Sequence, residues 1–314
     1  MDKTILTLTV NPAVDRIVTV DRLVFEDRAY IESATEAAGG RGINVSRVLN
    51  RLGAKTIAIT TSGKEAGRTF EEQLQHDSFE KEIVKIRSDI RCNIAISDRQ
   101  GLSVKLNERG PKLSKQEQDH ISKAVENLLP NASWLMLCGS VPPETDPHFY
   151  TRLIQLAAKH KVETLVDADG DSLLHALEAE PTIVKPNQSE AERLLNTTVI
   201  TRSQQIDAVQ RIRTLGAKSV VLSLGSRGVI AATSSEGVLE VMPPQVHSLC
   251  PIGAGDAMSA AIVWALNNGE SFGEALRWGV AAGTASSKLP GITLANLEQT
   301  KEIYPRTQLT RIVV

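Results

Sequence analysis

Cysteine is scarce. Cys92, Cys138 and Cys250 are the only three in 314 residues. They are an odd number, far apart, with no C-x-x-C pair. That pattern predicts neither a disulfide framework nor a structural zinc site and suits a reducing compartment. Neither sign of charge dominates, because 35 Lys and Arg face 37 Asp and Glu for a net charge of −2. The balance excludes a dedicated nucleic-acid binder. Long apolar runs are also missing. The longest, residues 257–266, is broken by Ser259 and is half a membrane span. Residues 1–10 carry no basic stretch followed by an apolar one, so no secretory leader is expected. At 41% apolar and 23% charged, the chain does not have the composition of a disordered protein. A chain this long can bury a large core without staples. The expectation is a cytoplasmic globular protein with no nucleic-acid or membrane partner.

Several signatures are absent too. No G-x-x-x-x-G-K-[ST] occurs, which excludes a P-loop, and no G-x-S-x-G, which counts against an α/β-hydrolase. Gly40-Arg41-Gly42 is followed by Val45, and Gly253-Ala254-Gly255 by Met258, where a dinucleotide fingerprint needs its third glycine. This opposes a nicotinamide-dependent dehydrogenase. The six histidines show no metal spacing and receive no chemistry.

What remains is an alternation of strand and helix. Residues 5–10, 55–61, 134–138, 163–167, 182–185 and 219–224 read as strands. Helical spacing covers 43–52, 65–76, 114–129, 147–160 and 204–215, with further helices starting near Ala254, Ser271 and Leu294. Glu117 stands at capping-box spacing from Ser114. The rhythm predicts an α/β fold with a doubly wound, mostly parallel sheet flanked by helices. Residues 17–30 alternate apolar with charged, and 90–96 with 102–106, joined across 98–101, reads as another exposed hairpin. These hairpins, about 12–37 and 91–109, predict one small β-sheet lid on a single domain spanning 1–314. In such a sheet ligands bind beyond the carboxyl ends of the strands.

Two glycine loops stand out. Gly253, Ala254 and Gly255 precede a helical pattern, so free amides would face an anion at a helix N-terminus, with Asp256 beside it as an acid–base group. An ordinary glycine turn with a dipole-stabilising Asp accounts for the spacing equally well. Gly39-Gly40-Arg41-Gly42 precedes Asn44 and is either a ligand-approach loop or a tight helix entry. Lys185, Asn187 and Glu190 follow a short strand. They are either site residues with Glu190 on a Mg2+ shell or a capped helix start.

Together these blocks resemble the PfkB (ribokinase-like) carbohydrate kinases. Gly39-Gly40-Arg41-Gly42-Ile43-Asn44-Val45 is similar to the first family signature and Gly253-Ala254-Gly255-Asp256 to the second. Gly139-Ser140-Val141-Pro142-Pro143, Lys185-Pro186-Asn187-Gln188-Ser189-Glu190 and Ser223-Leu224-Gly225 match intermediate blocks in order. Thr9-Val10-Asn11-Pro12-Ala13-Val14-Asp15, Asn107-Glu108-Arg109-Gly110-Pro111 and Trp278-Gly279-Val280-Ala281-Ala282-Gly283 resemble the phosphofructokinase and tagatose-6-phosphate kinase branch.

The resemblance implies an ATP-dependent kinase that phosphorylates fructose 6-phosphate. Fructose 1-phosphate and tagatose 6-phosphate are the alternative substrates, and a non-catalytic sugar-phosphate sensor is a remote one. It implies that Asp256 is the base, ionised at neutral pH if its pKa is the ordinary ~3.9, and that the Gly253, Ala254 and Gly255 amides form an anion hole. Asp15, Gly39, Gly40, Asn44 and Ser140 would bind the sugar. Arg28 and Arg91 would bind its phosphate. Lys185, Asn187, Ser223, Gly225 and Gly228 would line the ATP site. Glu190 would act on Mg2+ through water, with K+ as a further cofactor. A homodimer through the lid is implied. Two departures from the family pattern are Pro251, where Thr is usual, and Arg41, where Lys or a small residue is usual.

Overall fold

The structure is a computed structural model that describes residues 4–24, 26–100, 102–291 and 293–313. With strands and helices numbered along the chain, the large sheet contains β1 (Thr4–Thr9), β4 (Thr56–Ser62), β5 (Glu80–Lys85), β8 (Ala132–Cys138), β9 (Glu163–Asp167), β10 (Ile183–Val184), β11 (Ser219–Ser223), β12 (Val229–Thr233), β13 (Gly237–Met242) and β14 (Gln308–Ile312). Its order is β14-β13-β12-β11-β10-β9-β8-β1-β4-β5. From β11 to β5 every pairing is parallel, and β12 to β14 extend the other edge antiparallel.

Helices cover both faces: α1 (Arg41–Arg51), α2 (Lys64–Leu74), α3 (Lys115–Leu128), α4 (Phe149–Lys159), α5 (Gly170–Leu177), α6 (Gln188–Leu195), α7 (Arg202–Thr214), α8 (Ala254–Asn267), α9 (Phe272–Ser287) and α10 (Leu297–Ile303). Alternate strand residues supply two cores, as the period of two demands. Leu6, Leu8, Leu135, Leu137, Val220 and Leu222 pack with α2, α3, α4, α5 and α7. Ile5, Trp134, Met136 and Val221 pack with α1, α8 and α9. Central strands buried on both faces read as continuous apolar runs, which is why they are visible in the sequence.

A second sheet joins β2 (Ala13–Val20), β3 (Ile31–Gly39), β6 (Arg91–Asp98) and β7 (Ser103–Asn107) in the order β3-β2-β6-β7. Two antiparallel pairs meet through the parallel pairing of β2 with β6. The alternating run 17–30 is not one strand. It stops at Val20, where the Asp21 carboxylate accepts from the Arg22 and Tyr30 amides and closes a loop. β3 is exposed over most of its length and built from Glu, Ser, Ala and Thr, so only its pairing with β2 defines it. The turn expected over 98–101 includes Gly101, and the leader reading over 1–10 includes residues 1–3. These positions lie outside the described residues.

Four strands lacked a sequence signal. β5 is an edge strand of alternating Glu and Lys, and β12, β13 and β14 form the antiparallel edge. The Ser114/Glu117 capping box is present. The last helix starts at Leu297 rather than near Leu294, because Asn296 caps it. Among the described residues, no helix is long and apolar enough to cross a membrane.

Candidate active site

The chain leaves five parallel strands at the same end of the sheet, and the predicted residues cluster there. Asn11 and Asp15 follow β1, Gly139 and Ser140 follow β8, and Asp167 ends β9. Lys185 and Asn187 follow β10, and Gly225 follows β11. The first turn of α8 completes the group. Gly253 is its N-cap at φ 79°, a left-handed conformation suited to glycine, and a Cβ there would stand 2.7 Å from Leu294.

Asp256 lies in that turn. The Asn44 amide donates to its Oδ2 at 2.8 Å, and Asn44 Oδ1 accepts from Arg47 at 3.2 Å. Arg47 is itself fixed by Asp77 and by the Ala38 carbonyl. The ordinary pKa expected for Asp256 is corrected by this environment. Burial, then the nearby charge of Asp167, push it up to about 6, while Asn44, Arg41 and Lys185 oppose the rise. At pH 7.5 the carboxylate form still predominates.

The expected amide triplet is also altered. The Ala254 amide donates to the Pro251 carbonyl at 3.2 Å, closing a turn, whereas the Gly253 and Gly255 amides make no such bond. Pro251 therefore contributes an acceptor to this loop.

Beneath the turn lies an ionic network. Asp167, 3% exposed, pairs with Lys185 Nζ at 3.0 Å and Arg41 at 2.8 Å, and accepts from Ser259 Oγ at 2.9 Å. Arg41 also reaches Glu190 Oε1 at 3.3 Å, and Glu190 Oε2 accepts from the Asn187 amide. Lys185 is thus committed to Asp167 and lines neither cavity described below. Glu190 and Asp167 are hard oxygen donors of the kind a divalent cation prefers. Every one of their carboxylate oxygens already has a cation or donor, so the set fits a metal held through water.

A second group surrounds Asp15. Asn93 donates to its Oδ1 at 2.8 Å, and a Cβ on Gly39 would overlap Asp15 Oδ2 at 2.0 Å, so only glycine fits beside it. Burial raises the Asp15 pKa, with Asn93, Arg91 and Arg47 opposing. Asn11 donates to Ser140 Oγ and the Arg109 carbonyl. Here four buried polar atoms stand without partners: Thr9 Oγ1, Asn11 Oδ1, Asn93 Oδ1 and Arg91 Nε. Each costs about 1–3 kcal/mol unless a ligand or water satisfies it. Arg28 is not gathered with them. It is exposed and lines neither cavity described below.

Two cavities flank the α8 turn. One, of about 660 Å3, is lined by Asn187, Ser223, Gly225, Gly228, Ala254 and Gly255 among others. The other, of about 620 Å3, lies between the small sheet and residues 249–252 and includes Asp15 and Asn93. Pro251 lines both. Asp167, Arg47 and Asn93 were not assigned roles from sequence. Of these, only Asp167 carried a signal, an Asp ending a buried strand.

The pfkB family carbohydrate kinase model matches residues 8–299. A 1-phosphofructokinase of Borreliella burgdorferi is 30% identical over 283 residues, covering 90% of this chain and 91% of that protein. A tagatose-6-phosphate kinase of Staphylococcus epidermidis is 28% identical over 310 residues, covering 98% and 100%. Phosphofructokinase-2 from Escherichia coli, solved with potassium, superposes with a TM-score of 0.91 at 30% identity, covering 97% and 99%. That enzyme has also been solved with fructose 6-phosphate and as a tetrameric inhibited form.

The fold and site thus define a sugar kinase, a phosphotransferase of the ribokinase-like class. The chain belongs to the PfkB family of carbohydrate kinases. Within it, the chain is of the phosphofructokinase-2, 1-phosphofructokinase and tagatose-6-phosphate kinase type, which uses ATP with a divalent metal.

Proposed function

We propose that this enzyme transfers the γ-phosphoryl group of ATP to fructose 6-phosphate, giving fructose 1,6-bisphosphate and ADP. One observation carries the reading: a carboxylate held by Asn44 stands in the N-terminal turn of α8, whose Ala254 and Gly255 line the larger cavity and whose lead-in, residues 249–252, lines the other. The larger cavity takes ATP along Asn187, Ser223, Gly225 and Gly228. The other takes the sugar, whose hydroxyls satisfy the orphaned atoms around Asp15, Gly39, Gly40, Asn44 and Ser140. Arg91 binds the sugar phosphate.

Asp256 accepts the proton of the attacking hydroxyl as its oxygen bonds to the γ-phosphorus and the bond to the ADP oxygen breaks. The Gly253 and Gly255 amides stabilise the charge on the transferring group, and Ala254 joins them if its turn opens. Glu190 holds the water shell of Mg2+, which when bound neutralises phosphate charge. Asp167 and Lys185 set the field around the base. K+ enters the proposal as an activator because the Escherichia coli neighbour was solved with it. The small sheet is a lid that excludes water from the reacting phosphate. We place the enzyme in the cytoplasm, where ATP and phosphosugars are available.

A coupled ADP-release assay with Mg-ATP tests the substrate. Fructose 6-phosphate should exceed fructose 1-phosphate and tagatose 6-phosphate in kcat/KM by about 100-fold, roughly 2.7 kcal/mol of discrimination. A preference for fructose 1-phosphate would instead align the chain with its Borreliella burgdorferi relative. No turnover on any phosphosugar would overturn the assignment.

A further inference from the structure

The histidines carry no metal spacing in the sequence, yet the fold brings two of them together away from the kinase site. His148 is the N-cap of α4, and His175 lies in the last turn of α5. Their rings stand 4.3 Å apart. Glu178, the C-cap of α5, lies between them. Its Oε1 is 2.8 Å from His175 Nδ1 and its Oε2 is 3.4 Å from His148 Nδ1. All three donor atoms lie within 4.8 Å of one another.

We propose that His148, His175 and Glu178 form a binding site for a borderline transition-metal ion such as Zn2+, joining α4 to α5. Bonds of about 2.0–2.1 Å in tetrahedral geometry place neighbouring ligand atoms roughly 3.3 Å apart. The two measured separations bracket that value, so small side-chain adjustments complete the set. Two imidazoles with one carboxylate select Zn2+, Cu2+ or Ni2+ over Mg2+ and Ca2+, which prefer all-oxygen shells. Three protein ligands leave a position for water.

The scaffold is already in place. The His148 amide donates to Asp146, and Thr151 of α4 donates to the His175 carbonyl, so the helices are tied before any metal arrives. Arg152 of α4 is engaged by Asp146. The side chains are partly exposed, which gives the ion a path in. None of the three lines either cavity flanking Asp256. The proposal is therefore independent of the sugar substrate.

The test uses untagged, chelator-stripped protein without nucleotide, titrated with Zn2+ against a chromophoric chelator and with Co2+ by absorption. One equivalent should bind in the micromolar range, with a Co2+ spectrum of nitrogen and oxygen ligands and a rise in Tm that grows with metal concentration. The double variant His148→Gln/His175→Gln should lose about 100-fold in affinity, at least what loss of an outer-shell partner alone costs. Its kinase turnover should be unchanged, which also reports that it folds. The proposal is overturned if binding survives in the double variant, if Co2+ shows a thiolate band pointing to Cys92 or Cys250, or if no micromolar binding occurs.

Discussion

At the scale of single residues, Asp256 combines opposed requirements. The base we propose it to be must be ionised, yet burial and Asp167 favour its proton. We expect kcat/KM to fall on the acid side with an apparent pKa near 6. Asn44→Ala removes a hydrogen bond to the charged form, so the acid limb should move to higher pH. A pH–rate profile in which it stays put would refute that role. Asp256→Asn should lower kcat by about 10²–10⁴-fold, the usual contribution of a positioned base, with little change in ATP affinity. The same variant should melt higher than the parent at neutral pH. The sign follows from the raised pKa. Between 3.8 and about 6 the folded state holds a proton that the unfolded state has released, so the parent loses stability as pH rises through that window. The gap between variant and parent should therefore open from pH 4 to 6 in calorimetry. Asp256 and the glycines beside it were legible because small residues before a helix are a local pattern. Arg41, Arg47 and Asp167 were not assigned these contacts, because the pairs Arg47–Asp77, Asp167–Ser259 and Arg41–Glu190 join residues 30, 92 and 149 positions apart.

At the scale of elements, the N-terminal turn of α8 is positioned by the crossing of α8 and α9. A Cβ on Gly283 of α9 would stand 2.9 Å from the Ala254 carbonyl in the first turn of α8, and one on Gly279 would stand 2.5 Å from Ile262. Gly283→Ala should therefore push the turn outward. We expect a stability loss of about 1–3 kcal/mol, the usual cost of overpacking, and a fall in kcat that exceeds any change in sugar KM. Thermal melts and steady-state kinetics on the one variant separate these effects. Buried parallel strands and capped helices were legible because their patterns are local. β5 and β12 to β14 were not, since edge strands take their identity from the neighbour they pair with. A small-residue helix such as α9 shows its close-approach face only when α8 is beside it.

At the scale of the whole molecule, the small sheet forms one wall of the smaller cavity. It leaves large apolar residues in solvent, with Ile31 at 61% and Leu106 at 54% exposure. These are a cost for a monomer and an asset for a homodimer through the lid, which is the assembly we propose. Light scattering should give twice the 34.0 kDa chain mass. Ile31→Glu with Leu106→Glu should yield monomers whose KM for the phosphosugar rises several-fold while ATP binding holds. A parent that remains monomeric at working concentration would refute the dimer. A mass of four chains would match the tetrameric form known for the Escherichia coli neighbour.

The sequence by itself determined the α/β class, the paired glycine loops and the residue types at the strand ends, because each is written in contiguous residues with a physical period. Tertiary structure alone decided what those groups experience. It raised the pKa of Asp256, committed Lys185 to Asp167, turned the Ala254 amide toward Pro251 and set His148 beside His175. These properties depend on distance and dielectric between residues remote in the chain, and only the fold specifies either.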